Sequence, residues 1–329
     1  MTITLQKIFP VCALTVAIAL AAPASAKQTG QVFVSSEKDN VIVVLDGKTQ
    51  QQIALIKVCK RPRPLQLTSD RQRLITACGD DGLAMMIDVA SRKVVETIKL
   101  GEGVEIFDLS PDGKKIYFSN EDEDVVIAFD LVAKKVINQI KVGAEPEGLL
   151  VTPDGKTLYV ASEGTDLVHV IDLASGKIVK NIEVGKHPRR LALTPDGKEL
   201  WVGCELSASV SIIRTADNTV VGNVKFEPRG FRIDDITAVG ITISADGKTA
   251  YVALGRASHV AVVDVAGRKV RNVILVGKRA WGLALSRDNK TLYVANGLSD
   301  DVSVVDVASG RAVKTVKVGR VPHSVVIDD

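Results

Sequence analysis

Short apolar runs rich in β-branched residues alternate along the chain with polar turns. Within residues 147–188 the runs GLLVT, TLYVAS, LVHVIDL and KIVKNIEV are separated by Pro-Asp-Gly, Glu-Gly-Thr-Asp and Ser-Gly. Runs of this length bounded by Asp-Gly and Ser-Gly are typical of strands joined in hairpins. A sustained 3.6-residue period does not occur in any window of a dozen residues. The pattern therefore predicts an all-β protein.

The strand pattern repeats along most of the chain. The aspartates of the first turn in each unit are Asp70, Asp112, Asp154, Asp196, Asp246 and Asp288. They are spaced by 42 residues, except for one step of 50 between Asp196 and Asp246. The extra eight residues fall within residues 225–239, KFEPRGFRIDDITAV. Four antiparallel strands in a unit of this length are typical of a β-propeller blade.

The two ends of the repeat region complete one more blade. Gln31-Val32-Phe33-Val34 matches the second strand of a unit, and His323-Ser324-Val325-Val326-Ile327 matches a first strand. Six complete units lie between these ends. Pairing of the last strand with the N-terminal strands would close the ring and protect its edges. We therefore predict a single seven-bladed β-propeller over residues 27–329.

The N-terminal residues have the features of an export signal. Lys7 precedes the apolar segment Ile8–Leu20, which is too short to span a bilayer, and Ala24-Ser25-Ala26 is a small-residue cleavage pattern. We expect residues 1–26 to be a signal peptide cleaved after Ala26. No later segment has the apolar length of a transmembrane helix. The expected location is the periplasm.

Composition excludes several function classes. The chain has 42 basic and 39 acidic residues, which is too balanced for a dedicated nucleic-acid or polybasic membrane protein. Aromatic residues make up 4% of the chain, too few for a surface that stacks single-stranded nucleic acid. Four cysteines and four histidines exclude a disulfide-dense scaffold and a multi-zinc protein.

The repeats resemble a known family of propellers. Leu158-Tyr159-Val160-Ala161 and Leu292-Tyr293-Val294-Ala295-Asn296 each follow a turn of the Pro-Asp-Gly-Lys type and precede a Val-Ile-Asp or Val-Val-Asp strand. This arrangement resembles the YVTN-repeat β-propellers over residues 27–329. Segments including Cys59-Lys60-Arg61-Pro62-Arg63 are similar to the subgroup of propellers associated with PQQ-dependent catabolism. The resemblance implies a setting beside periplasmic quinoprotein alcohol oxidation.

Side chains at equivalent positions of the blades should form layers around the propeller axis. The residue after the Val-Gly-x-x-Pro segment begins the innermost strand, and should lie at the mouth of the channel. Across the blades this position holds Arg63, Glu105, Glu147, Arg189, Val239, Trp281 and His323. The position two residues earlier holds Arg61, Gly103, Glu145, His187, Thr237, Arg279 and Val321.

Two interpretations of these layers remain open. Arginine binds carboxylates and phosphates in a bidentate manner, and tryptophan offers a stacking surface. The residues could form an arginine–glutamate network that closes the channel, or a site for a small ligand or a partner peptide. The candidate site residues are Arg63, Glu105, Glu147, Arg189, Trp281 and His323, with Arg61, Glu145, His187 and Arg279 as a secondary set. The insertion is an equally weighted candidate for binding or for simple packing.

Metal and disulfide chemistry receive little support from the sequence. A loop position after the second strand holds Glu37, Glu121, Glu163 and Glu205, which we expect to be solvated at a larger radius. We therefore predict no metal site and no bound cofactor. The three cysteines after the signal segment are Cys59, Cys78 and Cys204. We favour free thiols, because Cys78 should pair opposite Pro64, although a Cys59–Cys78 bond stays possible if the intervening chain folds back.

Three functional hypotheses follow. We favour a non-enzymatic periplasmic binding protein that assists PQQ-dependent alcohol catabolism, with a small ligand, a quinoprotein dehydrogenase, a cytochrome or a transport component as partner. We expect it to be a monomer. The first alternative is a lactonase-like hydrolase, for which Glu105, Glu147 and His323 are the best catalytic candidates. The second is a structural platform for protein interaction. The fold alone does not choose among these.

Overall fold

The computed structural model describes residues 28–329, which form seven four-stranded antiparallel sheets. The predicted signal peptide lies outside the described residues. The sheets follow one another along the chain, and this confirms the predicted seven-bladed propeller of four-stranded blades. Within the described part, helical structure is limited to three short 3₁₀ turns, Glu163–Thr165, Glu205–Ser207 and Ile233–Asp235.

Each blade takes its strands in sequence, except the first, which also holds the last strand of the chain. Blade 1 contains β1 (Gln31–Ser36), β2 (Val41–Asp46), β3 (Gln52–Lys57) and β28 (Pro322–Asp328). Blade 2 contains β4 (Pro62–Leu67), β5 (Arg73–Cys78), β6 (Leu83–Asp88) and β7 (Lys93–Lys99). Blade 3 contains β8 (Val104–Leu109), β9 (Lys115–Asn120), β10 (Val125–Asp130) and β11 (Lys135–Lys141).

Blades 4 and 5 contain β12 (Pro146–Val151), β13 (Thr157–Ser162), β14 (Leu167–Asp172), β15 (Lys177–Glu183), and β16 (Pro188–Leu193), β17 (Glu199–Cys204), β18 (Ser209–Arg214), β19 (Thr219–Lys225). Blades 6 and 7 contain β20 (Ile241–Ile243), β21 (Thr249–Ala253), β22 (His259–Asp264), β23 (Lys269–Leu275), and β24 (Ala280–Leu285), β25 (Thr291–Asn296), β26 (Asp301–Asp306), β27 (Arg311–Lys317).

The ring closes by pairing of the two ends of the chain. Strand β28 runs antiparallel to β1, with Val326 opposite Phe33 and Val325 opposite Val34. Thr29 adds two hydrogen bonds to the Asp328 carboxylate, at 2.8 Å from its backbone nitrogen and 2.6 Å from its hydroxyl. This closure gives both terminal strands a neighbour in the same sheet, as the sequence predicts.

The core consists of seven apolar layers between neighbouring blades. The second strand of each blade contributes one large side chain to these layers, namely Phe33, Ile75, Tyr117, Tyr159, Trp201, Tyr251 and Tyr293. All seven are buried. Burial of one such side chain stabilises the fold by about 1.5–3 kcal/mol. These seven large side chains therefore pack between blades and do not line the channel.

The cysteine prediction needs correction, because Cys59 and Cys78 form a disulfide with their Cα atoms 5.7 Å apart. A bulge between Pro62 and Leu65 shifts the register of β4, so that Cys78 pairs with Pro62 rather than with Pro64. Arg61 has a left-handed backbone conformation with φ of 62°, which turns the chain back toward β5. Cys204 is a buried free cysteine.

Candidate functional site

The residues of the first layer sit in β-bulges of the innermost strands. In blade 4, Pro146 pairs with Ser162 and Gly148 pairs with Ala161, so that Glu147 between them lacks a partner in the ladder. Arg189 has the same position in blade 5. The innermost strands of blades 1, 2, 3 and 7 shift register at the corresponding place. A bulge re-aims the side chain of the extra residue.

The residues of the second layer precede these strands in a strained turn. Arg61, Glu145, His187, Arg279 and Val321 all have positive φ values, between 54° and 62°. This left-handed conformation is uncommon for residues other than glycine and tends to cluster at functional sites. In blades 1, 2, 4, 5 and 7 the turn and the bulge together present two variable side chains at the start of the innermost strand.

On one side of the channel mouth, the Glu105 carboxylate is held by two arginines. Arg61 and Arg63 both form ion pairs with it, and the Glu105 side chain is almost fully buried. The Arg63 guanidinium also donates to Glu37 across 3.0 Å. Arg61 further contacts Asp80 at 3.2 Å. These pairs connect blades 1, 2 and 3.

A second network centres on Arg189. Its guanidinium contacts Glu147 at 2.8 Å, Glu205 at 3.3 Å, and Glu163 through an ion pair. Although burial opposes it, the charges of these three carboxylates raise the pKa of Arg189 above its ordinary value. Arg190 gives Glu147 a second cation at 2.7 Å. Although Glu147 is buried, the two arginines hold the pKa of its carboxyl below the ordinary value.

His187 lies between two of the same carboxylates. Its Nε2 is 3.0 Å from Glu163, and its Nδ1 is 3.3 Å from Glu205. The neighbouring carboxylates of Glu163 and Glu205 raise the pKa of His187 to about 9, so the imidazole is protonated at neutral pH. Exposed Glu145 has a carboxylate oxygen within 4.8 Å of ligand atoms of Glu163 and His187.

The sequence prediction that the loop glutamates are solvated is wrong for three of the four. Glu37, Glu163 and Glu205 are buried, with 8%, 6% and 7% of their surface exposed. Their side chains reach inward to Arg63, Arg189 and His187. A larger distance of the backbone from the propeller axis does not keep these acids in solvent, because a glutamate side chain is long enough to reach the arginine of the same or the next blade.

The fourth loop glutamate has a different environment. Carboxylate oxygens of Glu105, Glu121 and Glu147 lie within 4.8 Å of one another. Burial and the negative charge of Glu147 raise the pKa of Glu121. Although three carboxylates can bind a hard cation, Arg61, Arg63, Arg189 and Arg190 already supply positive charge here. The donor set is therefore better described as part of an ion-pair network than as a metal site.

The opposite side of the mouth is aromatic and cationic. The Trp281 ring lies 5.5 Å from the His323 ring, measured between centroids. Two guanidinium groups approach the same indole, that of Arg279 at 4.8 Å and that of Arg189 at 5.2 Å from the ring centroid. Both distances fall within the range of cation–π attraction. Trp281 is therefore in contact with both Arg279 and the central arginine of the second network.

His323 offers a free nitrogen in this region. Its side chain is buried, and its Nδ1 lies 3.1 Å from the Ser324 hydroxyl. Among residues 28–329, no hydrogen-bond partner reaches Nε2. Burial, followed by the charges of Arg63 and Arg190, holds the pKa of His323 well below its ordinary value. The imidazole is therefore neutral at pH 7.

Below the mouth, the inner strands enclose a cavity of about 340 Å³. Its lining includes Arg189, Trp281 and His323 from the first layer, and Asp108 from β8. Asp108 accepts hydrogen bonds from Gln66 Nε2 at 2.7 Å and from the backbone nitrogen of Val151 at 2.7 Å. Burial raises the pKa of Asp108. Sequence reasoning missed this residue, because it lies deeper along the strand than the layers considered.

The insertion occupies the connection between β19 and β20. Phe226 and Ile236 at its ends are buried, whereas residues 229–235 are exposed. Strand β20 has only three residues, and Val239 and Ile241 nearby line the cavity. At the tip, the Phe231 ring meets the His259 ring edge-on at 5.3 Å. The insertion thus packs at both ends and leaves an exposed tip.

Family comparison agrees with this architecture. Residues 149–328 match the family described as lactonase, seven-bladed β-propeller, and residues 91–197 match a YNCE-like β-propeller. The first match covers more than half of the chain. The chain therefore belongs to the lactonase family of seven-bladed β-propellers. No curated protein matches its sequence.

Solved structures share the fold at low sequence identity. A hydrazine synthase chain of Kuenenia stuttgartiensis is 22% identical over 85% of this chain and 93% of its own, with a TM-score of 0.76. The periplasmic gluconolactonase of Pseudomonas aeruginosa is 19% identical over 91% of this chain and 98% of its own, also with a TM-score of 0.76. A protein of unknown function from Desulfotomaculum acetoxidans reaches 0.79 at 18% identity, covering 91% and 99%.

Proposed function

We propose that this protein hydrolyses a small lactone at the mouth of its channel. Membership of the lactonase family is the observation that carries the proposal. It favours the hydrolase hypothesis over the non-enzymatic role that the sequence alone suggests. The cavity of about 340 Å³ is within the range of small-molecule sites.

His323 is the best candidate for the general base. The two glutamates considered from the sequence, Glu105 and Glu147, are each paired with two arginines, and such pairing weakens a carboxylate as a base. His323 is neutral, it lines the cavity, and its Nε2 has no hydrogen-bond partner among residues 28–329. A neutral imidazole with an available lone pair can accept a proton from water.

The reaction then needs one water molecule. Nε2 of His323 takes a proton from the water as its oxygen bonds to the carbonyl carbon of the lactone. The resulting tetrahedral oxyanion collapses with cleavage of the ring C–O bond, and the imidazolium returns the proton to the leaving alkoxide. The product is a hydroxy acid. The charges of Arg63, Arg189 and Arg190, which lower the pKa of His323, would stabilise the oxyanion.

Turnover of glucono-δ-lactone, corrected for spontaneous hydrolysis, tests the proposal. His323→Gln should lower kcat by about 100-fold or more, because it removes general-base catalysis. His259→Gln, which changes a histidine in blade 6 near the insertion tip, is the matched control and should keep the activity. Equal activity of wild type and His323→Gln on any lactone that the protein hydrolyses would contradict the assignment.

Export to the periplasm is part of the proposed function. Residues 1–26 have the pattern of a signal peptide, and the Cys59–Cys78 disulfide fits an oxidising compartment. In the part of the chain that the structure describes, we find no helix with the length and hydrophobicity needed to cross a bilayer. Fractionation of cells expressing the full chain tests this, and a cytoplasmic protein with unprocessed N-terminus would contradict it.

A second candidate is an accessory role beside PQQ-dependent alcohol oxidation. The exposed tip of the insertion favours it, because Phe231 and Ile233 present apolar surface to solvent there. A quinoprotein dehydrogenase, a cytochrome or a transport component would be the partner of this monomer. Immobilised protein should then retain a purified quinoprotein dehydrogenase, and Phe231→Ser with Ile233→Ser should release it. Retention unchanged by both substitutions would contradict a role for the tip.

A further inference from the structure

Arg279 is a cation without an anionic partner. Its guanidinium lies over the Trp281 ring at 4.8 Å from the centroid. Across residues 28–329, no carboxylate oxygen lies within 4.0 Å of its nitrogens. The side chain is only partly exposed, so water does not fully replace a counter-ion. An unpaired and partly buried charge is costly.

The corresponding residue of blade 5 shows what is missing. His187 has the same strained turn position, with φ of 59° in both residues. The backbone nitrogen of Glu205 donates to the His187 carbonyl across 2.9 Å, and its carboxylate folds back to the imidazole. Glu163, in the loop of the preceding blade, supplies the second carboxylate. The cation of blade 5 is therefore enclosed by two acids.

Glycine replaces both acids around Arg279. The backbone nitrogen of Gly297 donates to the Arg279 carbonyl across 2.9 Å, as Glu205 does to His187. In the preceding blade, the position of Glu163 is occupied by Gly255, which forms a bridge with Ala280 beside Arg279. The backbone contact of Glu205 is thus retained at Gly297, while both carboxylates are lost.

The acids that pair with Arg61, the residue of blade 2 that corresponds to Arg279, also have no counterpart around Arg279. Arg61 contacts Asp80 and Glu105. The residues at the corresponding positions after Arg279 are Leu298 and His323. The imidazole of His323 is neutral, because its pKa lies well below the ordinary value. Arg279 consequently has no substitute for either carboxylate.

The positive charges of neighbouring arginines also favour the binding of an anion near Arg279. Burial lowers the pKa of Arg279, the charge of Glu205 opposes this, and the charges of Arg256, Arg189 and Arg63 lower it further. Mutual repulsion of guanidinium groups is relieved when an anion binds among them. Arginine also binds carboxylate and phosphate groups in a bidentate manner.

We propose that Arg279, beside Trp281 and next to Gly255 and Gly297, forms a binding subsite for a carboxylate or phosphate group of an external ligand. Gly297 leaves open a place that an acidic side chain fills beside His187, whereas the space next to Gly255 is taken by Thr237. The inference concerns binding alone, and does not require that the protein hydrolyse a lactone.

Calorimetric titration of the full protein at low ionic strength, with inorganic phosphate and with acetate, tests the subsite. We expect saturable binding of at least one anion. Preference for phosphate would indicate a phosphorylated ligand, and preference for acetate a ligand with a carboxylate. The dissociation constant should rise at least tenfold in Arg279→Gln. Arg214→Gln, which changes an exposed arginine paired with Asp217, is the control and should bind like wild type.

A second variant supplies the missing acid instead of removing the arginine. A Cβ atom on Gly297 would meet its nearest neighbour, the Pro322 carbonyl oxygen, at 3.6 Å, so a side chain fits there. Gly297→Glu should abolish anion binding, whereas Gly297→Gln, of the same size but uncharged, should retain it. Absence of saturable binding by wild type, or equal binding by wild type and Arg279→Gln, would overturn the inference. Absence of lactone turnover would overturn only the proposed function.

Discussion

The guanidinium of Arg189 contacts the carboxylate of Glu147 across 2.8 Å, and the two residues occupy the same position in adjacent blades, 42 residues apart. Arg63 and Glu105 form the same kind of pair between blades 2 and 3, also 42 residues apart, with the charges in reverse order. One repeat position thus joins neighbouring blades at the channel mouth by opposite charges.

Loss of the Arg189 cation should destabilise the fold. Arg189→Gln leaves the buried carboxylates of Glu147, Glu163 and Glu205 with less compensation, and breaking a buried pair costs about 3–5 kcal/mol. Since Arg190 still contacts Glu147, we expect about 3 kcal/mol in urea denaturation. The exposed pair of Arg214 and Asp217 is the control, and Arg214→Gln should leave the unfolding free energy nearly unchanged because solvent screens that pair. Equal costs for the two variants would contradict a structural role of the network.

The ion pairs of His187 predict a pH-dependent contribution to stability. The pKa of His187 is raised from 6.5 to about 9 in the folded protein. A raised pKa stabilises the fold fully below pH 6.5, and this contribution is lost as the pH rises through about 9. The difference in unfolding free energy between wild type and His187→Gln should therefore shrink from pH 6 to pH 10. A difference that stays constant over this range would contradict the assignment.

The Cys59–Cys78 disulfide should matter for stability and not for the shape of the channel mouth. The cysteines are 19 positions apart, and closure of a loop of that size stabilises a fold by about 3 kcal/mol. In blade 5, the positions of the two cysteines hold Gly185 and the free Cys204, so that blade has no disulfide. It nevertheless makes the same left-handed turn, at His187. Replacement of both cysteines by serine should lower the denaturation midpoint and preserve ligand binding. A reducing agent should lower the midpoint of wild type only.

Close approach of two innermost strands predicts the effect of a small substitution. A Cβ on Gly282 would overlap the carbonyl oxygen of His323, whereas a Cβ on Gly297 meets nothing closer than 3.6 Å. Gly282→Ala should therefore destabilise the protein by about 1–3 kcal/mol and displace His323. Gly297→Ala in the same blade is the matched control for the melting temperature. Similar melting temperatures for both variants would show that the strands can separate without cost.

The repeat explains how much of the site was predictable. Because six of the seven blades reuse the same turn and bulge, the position of a residue such as Arg189 in the repeat alone predicts its place at the channel mouth. The partners of these residues were harder to predict. Glu163 and Glu205 looked like solvated loop acids, and only their reach toward Arg189 and His187 shows otherwise. Pairing across blades depends on side-chain direction, which a repeat period does not contain.

The sequence by itself determined the number of blades, their closure through β28 and the site of the insertion, since strand hairpins and their turns are local features that recur at a regular spacing. Tertiary structure decided the rest. The bulge at Pro62 brings Cys59 to Cys78, Nε2 of His323 is left without a hydrogen-bond partner in the described residues, and Arg279 lacks the carboxylates that surround His187. These relationships join residues from different strands and blades, which come together only when the chain folds into the closed ring.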